Sequence, residues 1–439
     1  MADAGARSGV SPGPRGAALL LGLLIGSGAA VPAEPWTLLR IRAFGSERFR
    51  EPDVVAATGL EPGATVTLES FEKASARLSR LGTFAEVTYR YSQDGRNAIV
   101  QFHVRDARSF LPCRFENFVW FTDAELDAAL ADRVPLFVAG EVAAAGSQQD
   151  EVAAALGAIL KARRLPGSVG RIVLPGAAGG SRIGFRVEGV PISIARVDFE
   201  GYGHADPDAV RRAAAPLVGR AFARTPVEAF LVESLAPLWS EIGYLRAGFA
   251  GPSARVLESG PEGVSVAVGL GVREGKRYAF AGAEFAGAAA FSAAELAARI
   301  GLVPGEPANG VRLSRDLDAI RGRYAGRGYL RAAVEGRPVF DEKASTVRYE
   351  IEVREGGLYR MGKLEIVGVP RRHAERLRKI WKLSPGDPFD PASSDAFLGE
   401  CGSRLPASRH GWTVERSQEI RDADRTVDVT IRLTEKRPG

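Results

Sequence analysis

The residue types able to do covalent or metal chemistry are few and scattered in this 439-residue chain. Its four histidines, His103, His204, His373 and His410, are all at least 37 residues from one another. A zinc site or a Ser–His–Asp triad needs convergent side chains, and no helical His-Glu-x-x-His pair exists to put two imidazoles on one face. The run Gly271-Val272-Arg273-Glu274-Gly275-Lys276 imitates a phosphate loop. However, Leu270 stands where the first glycine is required and Arg277 where Ser or Thr would reach magnesium. Asp422 and Asp424 are paired carboxylates, but they fall in an expected hairpin turn, where Asp serves turn geometry. Cys113 and Cys401 lie in different segments. In an extended chain they are too far apart to bridge, since a disulfide needs Cα atoms within about 7 Å, so two unpaired thiols are expected. The expectation is a protein that is not an enzyme, with no catalytic residue, metal or cofactor and no small-molecule substrate.

Charge points the same way. The 58 basic and 53 acidic residues are interspersed and leave a net +5, whereas a nucleic-acid partner calls for a concentrated patch. Basic residues cluster only briefly, as at Arg371, Arg372, Arg376, Arg378 and Lys379. That cluster reads as a solvated helix face, with contact to anionic lipid or an acidic partner as the alternative. With 45% apolar and 25% charged residues the chain has enough for real cores. Residues 1–33 read as an export signal: Arg7 and Arg15, an apolar run from Gly16 to Val31, then Val31-Pro32-Ala33 as a small-residue cleavage site. An uncleaved N-terminal anchor is the alternative. Beyond residue 35 no stretch approaches the roughly 18 apolar residues of a membrane helix, so membrane contact is expected only through a partner.

What must position any site is a repeat. Gly243-Tyr244-Leu245-Arg246-Ala247 recurs as Gly328-Tyr329-Leu330-Arg331-Ala332, 85 residues on, and Arg273-Glu274-Gly275 recurs as Arg354-Glu355-Gly356, 81 residues on. Around the second copy, Ser292 with Glu295 predicts a capping box. Leu313, Leu317, Ile320 and Tyr324 form one helix face, and Thr346–Val353 alternates as a strand. The order is β-α-α-β-β. The same order fits five segments: 36–106, 107–190, 191–275, 276–356 and 357–436. The second is the most divergent. Pro237 should kink the second helix of the third. The fold class expected is α+β: tandem modules, each a three-stranded mixed sheet covered by two helices.

A module of this order, with Gly after strand one, Gly-Tyr before strand two and Glu-Gly after strand three, resembles the POTRA (polypeptide-transport-associated) domain. Those modules form the periplasmic part of outer-membrane barrel-assembly insertases and two-partner secretion pores. The motif residues are Gly328-Tyr329 with Glu355-Gly356 and Gly243-Tyr244 with Glu274-Gly275; Gly411-Trp412 and Glu435-Lys436 stand there in the fifth segment. No barrel strands follow Lys436, so an array without a barrel is expected and insertase activity is not implied. The resemblance implies a periplasmic protein, or one at the periplasmic face of the outer membrane. It would bind polypeptide clients, an outer-membrane β-barrel protein, or both. It also places the second strand at an open edge, where an extended chain could add by β-augmentation. The strands so expected are Tyr244–Phe249 and Tyr329–Val334, with Tyr244, Leu245, Arg246, Tyr329, Leu330 and Arg331 as candidate polypeptide-binding residues. Simple packing of these side chains within their own module is the other reading. A structural scaffold or spacer of the cell envelope, without client binding, is the alternative function.

Overall fold

The computed structural model describes residues 35–176, 179–260, 262–405, 408 and 411–436. The expected export signal and His410 lie outside the described residues. The described chain divides into two compact units, one built mainly from the first two modules and the other from the last three. Among the described residues no helix is long and apolar enough to cross a membrane.

Five small mixed sheets repeat one plan. In the fourth module, strand Ala279–Ala286 runs parallel to the central strand Thr346–Arg354, and Ala333–Asp341 pairs antiparallel on the other side of that strand. The fifth repeats this with Arg360–Val367, Thr426–Glu435 and Trp412–Arg421, and the first with Trp36–Phe44, Asn97–Asp106 and Phe84–Asp94. A parallel pair cannot be closed by a tight turn, so two helices make the crossover and cover one face. The divergent second segment has the same plan: Phe110–Phe115 parallel to Ser181–Glu188, with Ser168–Pro175 outside. Its helices are Asp123–Ala131 and Gln148–Ala162.

Two details differ from the expected plan. The first and second sheets carry a short fourth strand beside the first, Thr65–Val66 and Glu141–Ala143. In the last three modules this shrinks to single bridges, Ser193 with Ala221, Ala279 with Pro307 and Arg360 with Pro388. In two of these a proline, which has no N–H, occupies the position and prevents a longer ladder. The second helix of the third module, expected as one kinked helix, breaks into Arg224–Phe230, a π-turn at Leu231–Leu235, and Ala236–Glu241. Pro237, with no N–H for the preceding turn, is the second residue after the π-turn.

The helices form where capping and periodicity agree. In Leu68–Leu81 the buried Phe71, Ala74, Leu78 and Leu81 recur every three or four residues, and Thr67 and Ser70 form a capping box. The expected Ser292–Glu295 capping box starts the helix at Ala293–Ala297. Each core lies between the helices and the sheet. In the fourth it joins Phe280, Phe291, Leu296, Ile320 and Tyr324 to Val347, Ile351 and Val353.

One tight contact recurs. The glycine after the first strand has positive φ in four modules: Gly45 (+99°), Gly201 (+82°), Gly287 (+79°) and Gly368 (+90°). A Cβ there would lie 2.3, 2.5, 2.3 and 1.8 Å from the carbonyl oxygens of Val104, Val272, Val353 and Leu433 on the central strand. Two residues beyond each of those carbonyls stands an acid that gathers the turn. Asp106 accepts from the backbone N–H groups of Glu47 (2.8 Å) and Arg48 (3.0 Å). Glu355 accepts from Ala289 (2.6 Å) and Ala290 (2.7 Å). Glu274 accepts from Gly203 and His204, both at 3.1 Å, and from the Trp239 indole at 2.8 Å. In the fifth module Glu435 occupies the matching position, but Pro370 stands where the first donor belongs and offers no N–H.

Burial alone would raise the Glu274 carboxyl. The hydrogen bonds from the His204 ring, Trp239 and the two amides outweigh it and hold the group at about 2, against an ordinary 4.5. A carboxylate depressed in the native state stabilises the fold above its unfolded pKa, and loses that contribution as pH falls from about 4.5 towards 2. Glu274→Gln should therefore lower the urea midpoint of the third module at neutral pH. The difference from the wild type should shrink steadily below pH 4.5 and vanish near pH 2, as followed by Trp fluorescence. Gly287→Ala should cost about 1–3 kcal/mol in urea unfolding, because it combines a left-handed backbone with a carbonyl clash.

Candidate functional site

The site must be sought at the sheet edges. On the parallel side each first strand is covered by the short fourth strand or bridge. On the other side the outer hairpin strand has one ladder neighbour only. An edge of this kind presents unpaired N–H and C=O groups.

The edges are not equivalent. In the fifth module the N–H of Lys436 donates to the Gly411 carbonyl at 3.0 Å, which sets the phase of the ladder. Pairing runs without a bulge from Trp412 opposite Glu435 to Arg421 opposite Thr426. Odd-numbered positions of the outer strand therefore bond inward, and the backbone groups of Val414, Arg416, Gln418 and Ile420 face outward. This edge contains no proline over ten residues. The side chains of its outward-bonding residues lean over the helix: Arg416 pairs with Asp395 at 2.5 Å and Gln418 donates to Ser394 at 3.2 Å. In the fourth module Pro338 lies opposite Tyr349 within an unbroken register. Proline cannot donate to the ladder, so its nitrogen faces outward and removes a donor from the open edge. The third edge is interrupted between Gly248–Phe249 and Ser253–Gly260.

The six residues singled out in the sequence lie before these strands. The expected strand Tyr329–Val334 is instead Ala333–Asp341, and only Gly248–Phe249 of the expected Tyr244–Phe249 is strand. The reason is the positive φ of Gly243 (+92°) and Gly328 (+90°), which turns the chain back on the helix just ended. The N–H of Tyr244 donates to the Trp239 carbonyl at 2.9 Å, and that of Tyr329 to Tyr324 at 3.0 Å.

Each residue of the repeated pentapeptide has its own contact. The glycine carbonyl accepts from the next module: Tyr278 N–H to Gly243 at 2.9 Å, Tyr359 N–H to Gly328 at 2.8 Å. The tyrosine packs in its own module, Tyr329 edge-on to Tyr324 and Tyr244 against His204. The leucine enters the core of the next module, Leu245 that of the fourth and Leu330 that of the fifth. The arginine reaches the next hairpin turn. Arg246 meets Glu342 at 2.5 Å, and the Tyr278 hydroxyl donates to the same carboxylate at 3.0 Å. Arg331 meets Asp422 at 3.3 Å, and the Tyr359 hydroxyl bonds the same group. Arg246 also lies 3.9 Å from the Phe340 ring. The tyrosine hydroxyl is the first cause that holds each acid below its ordinary range, and the cations add to it. The first joint uses different side chains: Arg48 pairs with Glu141 and covers Phe110, while Leu136 completes the first module's core.

Sequence reasoning placed Asp422 in a hairpin turn but gave no role at the joints to Asp422, Glu342, Tyr278 or Tyr359. Their spacing carried a signal, since the two acids stand 80 residues apart and the two tyrosines 81. Among the described residues no group of three or more His, Cys, Asp or Glu is placed to hold a metal. Cys113 and Cys401 are free thiols, and burial pushes the Cys113 thiol up to about 12.

This plan, a parallel pair bridged by two helices with one outer hairpin strand, defines a class of small α+β repeat. Residues 278–356 match the POTRA family model, described as a surface antigen variable number repeat. Similar solved structures include POTRA domains 3–5 of BamA from Haemophilus influenzae, at 20% identity and a TM-score of 0.41, covering 56% of this chain and 96% of that one. BamA from Haemophilus ducreyi lacking POTRA domains 1–3 matches at 22% identity and a TM-score of 0.30, over 36% of this chain and 30% of that one. POTRA domains 1–3 of Omp85 from Anabaena match at 18% identity and a TM-score of 0.23, over 56% and 96%.

The joint contacts carry a prediction. Leu330→Ala combined with Arg331→Ala should separate the unfolding of the fourth and fifth modules. Calorimetry should show one shared transition in the wild type become two, the leucine alone costing about 1–2 kcal/mol for a half-buried side chain.

Proposed function

We propose that this protein is a periplasmic POTRA-repeat protein that binds extended polypeptide by adding it as a strand to its open hairpin edges, in the service of outer-membrane protein assembly or transport. The observation that supports this best is the outer strand Trp412–Arg421, with four outward-facing backbone positions from Val414 to Ile420, no proline and a single ladder neighbour. Backbone pairing asks little of the client's sequence, which suits a protein that handles many unfolded chains. Tyr244, Leu245, Arg246, Tyr329, Leu330 and Arg331 serve in this reading by holding the start of each edge strand. The client's backbone meets the strand itself.

A second reading, an envelope spacer without clients, draws support from the joints, which tie each of the last modules to the next. One substitution separates the two. Gln418→Pro removes an outward N–H without touching the inward ladder, whereas Glu419→Pro removes an inward one. Immobilised protein should bind unfolded outer-membrane barrel precursors, and Gln418→Pro should weaken that binding at least fivefold with the circular dichroism spectrum unchanged. Capture of one folded barrel partner, indifferent to Gln418→Pro, would instead establish the spacer.

A further inference from the structure

Strand addition makes no use of the first helix of the fifth module, Arg371–Arg378. Ala374 and Leu377 are its buried residues and face the core. Arg372, Arg376 and Lys379 follow at spacings of four and three along the opposite, exposed side, with Arg371, Arg378 and Lys382 beside them. The one acid of the helix, Glu375, pairs with Arg371 at 3.0 Å. Among the described residues no carboxylate pairs with Arg372, Arg376, Arg378, Lys379 or Lys382. The contrast within the same unit is plain: Arg348 and Arg354 each engage two carboxylates. Five uncompensated cations therefore share one short surface of a chain whose net charge is only +5.

We propose that this helix face adsorbs to a membrane surface rich in anionic phospholipid, its guanidinium and ammonium groups resting on lipid phosphates. The surface has the properties such a partner needs and lacks those of a protein-binding patch. None of the chain's large exposed apolar side chains falls between residues 370 and 383, so there is no aromatic or aliphatic anchor to desolvate at the centre of an interface. The cations lie along the outer face of a helix, and a charged bilayer is itself a broad surface that asks only for charge density. Insertion is ruled out because the apolar side of the helix is already used: Leu377 is fully buried, and Trp381 packs edge-on against Phe397 at 5.5 Å. The contact is electrostatic, weakened by salt and independent of the hairpin edges. It departs from the expectation that membrane contact comes only through a partner.

The test is sedimentation of the full-length protein with vesicles of phosphatidylcholine alone or with a third phosphatidylglycerol, at low salt. Each basic residue near such a surface strengthens binding roughly fivefold. Wild type should partition at least tenfold more strongly to the anionic vesicles, and 0.5 M salt, chosen at about three times physiological strength, should abolish the preference. The triple reversal Arg372→Glu, Arg376→Glu, Lys379→Glu should abolish it at low salt too, with an unchanged melting curve. Arg40→Glu, Arg90→Glu, Arg96→Glu in the first module should leave it intact. Any binding through the N-terminal segment, with its Arg7 and Arg15, would be common to all variants, so the difference between variants isolates the helix. Equal partitioning of wild type and the helix reversal overturns the proposal, as does an equal loss in the first-module control. Binding of soluble polyglutamate without vesicle partitioning would overturn it in favour of an acidic polypeptide.

Discussion

Everything in this fold follows from pairing two strands in parallel within a single small module. Parallel neighbours demand a long crossover, and here the crossover is two helices lying on one face of the sheet. That covers the core and places the last strand in the middle. The remaining strand, joined to the central one by a hairpin, has no place except the outside. The glycine after the first strand lets the crossover leave without striking the central strand's carbonyl, at Val104, Val272, Val353 or Leu433. The acid two residues further on fixes the departing turn in three modules, Asp106, Glu274 and Glu355. An open edge is thus a consequence of topology, and individual modules differ in how far they blunt it. Pro338 closes part of one, a break at residues 250–252 divides another, and Trp412–Arg421 is left continuous.

Much of this was legible in the sequence where the governing interactions are local. Helix starts with a side-chain cap, such as Ser292 with Glu295, and faces with regular spacing, such as Leu313 to Tyr324, came out in the right places. The alternating strand Thr346–Arg354 did too. The errors fall where a distant contact decides. Tyr244-Leu245-Arg246 reads as alternating strand, but Gly243 turns it back on the helix and the next module takes the leucine and the arginine. The strand Ser253–Gly260 was missed because its Ser-Ala-Arg and Glu-Ser-Gly ends look like loop, and its pairing with the following strand supplies what its composition does not.

The repeated pentapeptide is informative in an unexpected sense. Its recurrence identifies the modules, yet its chemistry belongs to the joints between them. Gly, Tyr, Leu and Arg each answer to a different partner: a backbone amide ahead, the home core, the neighbour's core and the neighbour's hairpin acid. The Arg pairs are solvent-exposed and contribute modestly by themselves. They act together with an apolar side chain and a tyrosine hydroxyl at the same joint, so alignment comes from several weak contacts that share one geometry.

The leucine in that joint has a consequence for how such a chain can change over evolutionary time. Leu245 belongs to the third module by chain and to the fourth by packing, and Leu330 stands likewise between the fourth and fifth. A recombination event that cuts at the last strand of a module delivers a domain with a vacancy in its core, unless the new neighbour brings a matching leucine. Duplication in register supplies one automatically, because the donor motif travels with every copy. The two near-identical joints in this chain fit such in-register copying, and the joint between the first two modules is built from different side chains.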